Sequence, residues 1–194
     1  MYPVEEFERT VLKFAGVMED VGVPFAVTGG MATMTYAEPR FTQDADVVIE
    51  PAAARRNVTR LVAALEEADS FLNPETVRDA VARGRQFQLL DNADVLKIDV
   101  YPHEVVEGEV SRAVRKEVFV GHTIPVIALP DVVAAKLEWI AKGSHKSRRD
   151  VRVLFDGATE DERGLIRVRA GAIRREDLLD EVLAEPDEVE PPAA

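Results

Sequence analysis

The sequence predicts an α+β fold with an α/β-like core: a small mixed sheet flanked by helices, with further helices at the C-terminal end. Three observations predict it. Helical and strand-like segments alternate through the first 130 residues, and helical patterns dominate after Pro130. Two of the strand-like runs also carry acids on one face and apolar residues on the other, as strands covered on one side do.

Each element has a local signature. Phe7, Val11, Phe14, Met18 and Val21 recur at helical spacing, so residues 4–21 form an amphipathic helix whose stripe is core. Phe25-Ala26-Val27 is short, apolar and suited to a buried strand. Gly29-Gly30 allows a tight turn, and residues 31–37 read as helix. Residues 54–68 are a second helix, and Pro74 opens another that ends near Gly84. Residues 87–90 and 95–101 are strand-like. Residues 118–120 and 124–127 flank Gly121-His122 as a hairpin. Pro130 opens a helix to about Lys142, and residues 160–184 suggest one or two more. The expected division is a domain over 1–156, a helical extension over 157–185, and a disordered acidic and proline-rich tail over 186–194.

Composition excludes several classes. The chain of 194 residues has no cysteine, so no disulfide framework and no zinc–thiolate site. Its N-terminus lacks the basic region and apolar core of a signal peptide, and no run is long and apolar enough to span a membrane. A cytoplasmic location is expected. A net charge of −12 argues against a broadly basic nucleic-acid surface. Much of that charge lies in residues 176–190. Lys142, His145, Lys146, Arg148, Arg149 and Arg152 instead gather around Asp150. That cluster reads as a solvated helix start, or as a surface that meets triphosphate or RNA phosphate.

The chemistry concentrates in three segments. Asp44 and Asp46 share one face of a strand, with Val47 and Ile49 on the other. In residues 95–101, Lys97, Asp99 and Tyr101 oppose Leu96, Ile98 and Val100. Acids packed so closely repel, and a divalent cation removes the penalty. All-oxygen ligands favour Mg²⁺ or Mn²⁺. Exposed, solvated acids are the competing reading of the Asp-x-Asp pair taken alone. The Gly29-Gly30 turn sits where a helix N-terminus favours an anion. Lys136 has Val132, Val133, Trp139 and Ile140 three and four residues away, so it emerges from an apolar helix face. It either snorkels to solvent or reaches a phosphate. Ser147-x-x-Asp150 reads first as a capping box opening the next helix, with a catalytic Asp150 as the alternative. The three histidines form no ligand set: His103 stands just beyond Asp99 as a loop residue, and His122 is a turn residue.

Gly29-Gly30, Asp44-x-Asp46 and the distant Asp99 together resemble the polymerase-beta-type nucleotidyltransferase superfamily. Within it they resemble the small bacterial branch of minimal nucleotidyltransferases and abortive-infection toxins of toxin–antitoxin systems. Leu129-Pro130, Lys136 and Arg149-Asp150 match further positions of that branch, and the resemblance covers roughly residues 22–156. Two positions depart from its pattern: Gly30 stands where serine is usual, and Arg149-Asp150 where Lys-Asp is expected. The resemblance implies transfer of a nucleoside monophosphate from an NTP to a hydroxyl on an RNA or tRNA end, a protein or a small molecule. It implies metal binding by Asp44, Asp46 and Asp99, with Asp99 helping to activate the acceptor. Gly29 and Gly30 would cradle the triphosphate, with Lys136 and Arg149 on its charge. A cognate antitoxin would be the protein partner. The alternative is a catalytically silent nucleotide- or protein-binding module of the same fold.

Overall fold

The computed structural model describes residues 4–37 and 45–186. Asp44 and the tail beyond residue 186 lie outside the described residues. The chain order is α1 (Val4–Val21), β1 (Phe25–Val27), α2 (Gly29–Met34), β2 (Ala45–Ile49), α3 (Pro51–Glu67), β3 (Ser70–Phe71), α4 (Pro74–Arg83), β4 (Phe87–Asp91) and β5 (Lys97–Tyr101). It continues through β6 (Val114–Phe119), β7 (His122–Val126), α5 (Leu129–Ala141), α6 (Lys146–Gly157), α7 (Glu160–Ala172) and α8 (Glu176–Leu183).

The strands form one mixed sheet in the order β3-β4-β5-β2-β1-β7-β6. β2 runs parallel to β5 and antiparallel to β1, and β1 runs parallel to β7. The hairpin is longer than the sequence suggests. It pairs from Val114 to Val126 with a register shift between Glu117 and Phe119, and Gly121 turns it at φ +78°. The two-residue β3 had no sequence signal, because it exists only by pairing with β4.

Helix boundaries follow local chemistry. Asn73 caps α4 by accepting from the Thr76 N–H at 2.9 Å, Pro74 begins the first turn, and Gly84 ends it at φ +63°. Thr159 and Glu162 form a reciprocal capping box on α7. α5 is the central helix. Ten of its residues are buried, and it packs against α2, α6 and α7. Ile166 and Ala170 of α7 and Leu179 and Val182 of α8 belong to the same apolar cluster as the sheet residues Val47, Ile98 and Val126. Among the described residues no helix is long and apolar enough to cross a membrane.

Candidate active site

Parallel pairing of β2 with β5 sets Asp46 directly opposite Asp99. Neighbouring strands lie about 4.8 Å apart, so two carboxylates at one register level on one face are close neighbours. The Tyr101 hydroxyl, two positions beyond Asp99 on the same face, donates to Asp46 Oδ1 at 3.1 Å. Lys97, two positions before it, lies 3.0 Å from Asp99 Oδ2. Asp99 is 7% exposed, and its Oδ1 is buried without a hydrogen-bond partner among the described residues. Leaving a buried carboxylate oxygen bare costs free energy.

Gly29 faces this pair from the end of β1. Its φ is +61°, and a Cβ there would lie 2.1 Å from Asp46 Oδ2. Any side chain would expel the carboxylate, so glycine is needed for the acid as well as for the turn. The N–H of Thr28 donates to the Asp46 carbonyl at 2.9 Å, which ties the turn to β2. Gly29 is itself the first residue of α2, which is only six residues long.

The facing wall comes from α5 and α6. Lys136 is 5% exposed, and its Nζ donates to Asp150 Oδ2 at 2.8 Å. The snorkelling alternative for Lys136 and the capping reading of Asp150 both fail here. Lys136 does not snorkel to solvent; its ammonium is held inside. Asp150 is not part of a cap, because α6 already begins at Lys146, His145 is its N-cap, and no side chain caps it. Ser147 therefore lies within the first turn, buried, sharing a hydrogen bond with the Ser144 hydroxyl at 2.8 Å.

These walls enclose a cavity of about 250 Å³. Gly29, Gly30, Asp46, Asp99 and Tyr101 border one side, and Lys136, Ser144, Lys146 and Ser147 the other, with Gln86 and Trp139 at its margin. Arg149 is exposed and does not border it. The basic cluster is also divided. Arg148 binds Glu181 at 2.9 Å and also Glu185, and Arg152 binds Glu185 at 2.7 Å, so α8 and the residues after it engage two of its cations. Of the cluster, only Lys146 borders this cavity.

Sequence reasoning assigned no site role to Gln86, Tyr101, Trp139 or Ser144, and read Ser147 only as a helix cap. The signal for Tyr101 was present in the alternation of β5. The serines had none, since they depend on where α6 starts.

The donor set suits a hard cation. Asp46 and Asp99 offer only oxygen, Asp99 Oδ1 lacks a hydrogen-bond partner among the described residues, and Gly29 leaves room for Asp46 Oδ2. No group of three or more His, Cys, Asp or Glu side chains able to hold a metal occurs among the described residues, and Asp44 lies outside them.

The architecture is that of nucleotidyltransferases. A solution structure of the antibiotic-resistance factor ANT(2'')-Ia aligns over 93% of this chain and 97% of its own, with TM-score 0.58 and 12% identity. A crystal structure of ANT(2'')-Ia with adenylyl-2''-tobramycin aligns over 87% and 98%, with TM-score 0.57 and 11% identity. An antigenic nucleotidyltransferase-like protein from Paracoccidioides brasiliensis aligns over 94% of both chains, with TM-score 0.50 and 16% identity. At these identities the likeness is one of fold. Comparison with curated protein sequences finds no significant match. The family model of the AbiEii nucleotidyl transferase toxin, of type IV toxin–antitoxin systems, matches residues 17–188, and the chain belongs to that family.

Proposed function

We propose that this protein transfers a nucleoside monophosphate from an NTP to a hydroxyl group, using Mg²⁺ or Mn²⁺ held by Asp46 and Asp99 together with Asp44. The observation that carries the reading is the opposed pair Asp46 and Asp99, with a bare buried oxygen on Asp99, across a cavity from Lys136 and Lys146. Bound divalent ions would neutralise the phosphates and stabilise the attacking and leaving oxygens.

The chain's own residues have distinct roles in this reading. Gly29 and Gly30 let the backbone approach the triphosphate closely. Lys136 and Lys146 offset its charge, and Lys136 shares its ammonium between phosphate and Asp150. Tyr101 holds the rotamer of Asp46 through Oδ1. Lys97 engages Asp99 Oδ2 and leaves Oδ1 facing the cation, and the Asp99 carboxylate takes up the proton of the acceptor hydroxyl. The acceptor oxygen bonds to the α-phosphorus, the bond from that phosphorus to the bridging oxygen breaks, and pyrophosphate leaves. Arg149, being exposed, would contact the acceptor or solvent rather than the triphosphate.

Membership of a toxin family supports a cellular acceptor, with an RNA end such as that of tRNA as our first choice, and a cognate antitoxin as partner. The test is incubation with each α-³²P-labelled NTP, Mg²⁺ and total cellular RNA, beside a lane of cell protein. Label on RNA with wild type and none with Asp46→Ala supports the proposal. Label on protein instead moves the acceptor. Equal labelling by Asp46→Ala and wild type would overturn the assigned chemistry.

A further inference from the structure

A second cavity, of about 310 Å³, adjoins the first, and both are bordered by Gln86, Tyr101 and Trp139. Its chemistry differs. The first cavity has the acids, the serines and the lysines that suit a polyphosphate. The second has rings and apolar side chains. Tyr101 and Trp139 meet edge to face with centroids 6.1 Å apart, and Tyr101 meets the His103 ring in the same way at 5.9 Å. Val48, Val105 and Ala135 supply apolar surface.

The charged groups around it are engaged. Glu138 lies 3.0 Å from Arg175, and Lys142 lies over the Trp139 ring at 5.4 Å. Glu109 is 2% exposed and accepts from the N–H groups of Val105 and Val106 at 3.0 and 3.4 Å. One polar atom is left over: the buried Nδ1 of His103 has no hydrogen-bond partner among the described residues. Burial, with Lys142 adding to it and a hydrogen bond to the Gly84 backbone opposing it, lowers the His103 pKa, so at neutral pH the imidazole is uncharged and Nδ1 is the atom left for a ligand.

We propose that this second cavity seats the base of the donor nucleoside triphosphate, with Tyr101 and Trp139 as its aromatic walls and His103 and Gln86 hydrogen-bonding to its edge. The inference rests on the nucleotidyl transfer proposed above. Flat rings stack on aromatic side chains, and their ring nitrogens and exocyclic groups satisfy buried polar atoms. A polyphosphate needs only the first cavity and an apolar ring only the second. A nucleotide needs both side by side, and the two share Gln86, Tyr101 and Trp139 as lining.

Trp139 is the chain's single tryptophan, so its emission reports on the shared wall. The full chain is titrated with each of the four NTPs and with tripolyphosphate, all with Mg²⁺, following Trp139 emission and melting temperature. NTPs are expected to bind about tenfold or more tighter than tripolyphosphate, as stacking one base contributes. Ala135→Leu fills the cavity from α5. It should bring NTP affinity to within about threefold of tripolyphosphate and leave tripolyphosphate itself unchanged. His103→Ala, which removes no packing from α5, should change the ranking among the four NTPs and keeps the test alive if Ala135→Leu fails to fold. Equal binding of NTP and tripolyphosphate by wild type overturns the base seat while leaving nucleotidyl transfer standing. So does an NTP affinity and ranking that neither substitution moves. Binding of neither compound overturns both.

Discussion

Asp131 and Lys136 are both buried on α5, 1% and 5% exposed, yet their surroundings differ. Arg112 grips Asp131 with two hydrogen bonds, from Nε at 3.2 Å and Nη2 at 2.9 Å, and Arg169 lies 3.2 Å from the same carboxylate. The three residues bind the loop before β6 and helix α7 to the start of α5. Lys136 has its carboxylate in Asp150, but it borders a cavity whose opposite wall holds Asp46 and the bare Oδ1 of Asp99. A charge cluster with every oxygen engaged is structural. One that leaves an oxygen bare beside a cavity retains stability that a ligand can supply.

This contrast can be broken from either side. The largest expected effect is on activity. Asp46→Asn should lower transfer by roughly 10³-fold or more, well beyond the 10–100-fold typical of losing an outer partner of a metal ligand, with folding unchanged. Rates with labelled NTP beside a circular-dichroism melt check both halves. The next effect is on stability. Asp131→Ala leaves Arg112 and Arg169 without their acid and should cost about 3–5 kcal/mol in urea unfolding. A loss under about 1 kcal/mol would show that this cluster is no clamp.

Glu109 sharpens the comparison through pH. Burial pushes its pKa up from 4.5 to about 7, so the folded state holds the proton more tightly than the unfolded chain does. Its stabilising contribution is full below about pH 4.5, falls as pH rises to about 7, and is flat above that. The fall should amount to about 3 kcal/mol. Glu109→Gln should flatten that part of the curve, measured by urea unfolding at pH 5 and pH 8. The smallest effect on stability is the most diagnostic. Asp99→Asn should abolish transfer but leave the metal-free melting temperature unchanged or raised by a few degrees, since it removes a repulsive, bare carboxylate oxygen. A marked drop in melting temperature would instead make Asp99 a structural residue like Asp131.

Much of this site was legible in the chain because it rests on local rules. Alternation assigned Asp46 and Asp99 to acidic strand faces and Tyr101 to the face of Asp99. Helical spacing marked Lys136 as emerging from a buried face. The Ser147-x-x-Asp150 spacing misled, because a capping box depends on where the helix starts, and α6 starts one residue before the serine. The pairing of part of the basic cluster with the acidic C-terminal segment was not legible at all. Residues 33 and 37 positions apart in the chain, Arg152 and Arg148 against Glu185, meet only after α8 folds back on α6.

The amino-acid sequence by itself determined the helices, most of the strands, the apolar and acidic faces, and the glycine turn, since propensity, periodicity and turn chemistry act within a few residues. Only the tertiary structure decided that Asp46 stands opposite Asp99, that Gly29 is required by the Asp46 carboxylate, that Asp150 serves Lys136, and that Tyr101 and Trp139 line two adjoining cavities. Those facts depend on strand register and helix packing between distant segments. They are settled by burial of the whole core and not by any one stretch of chain.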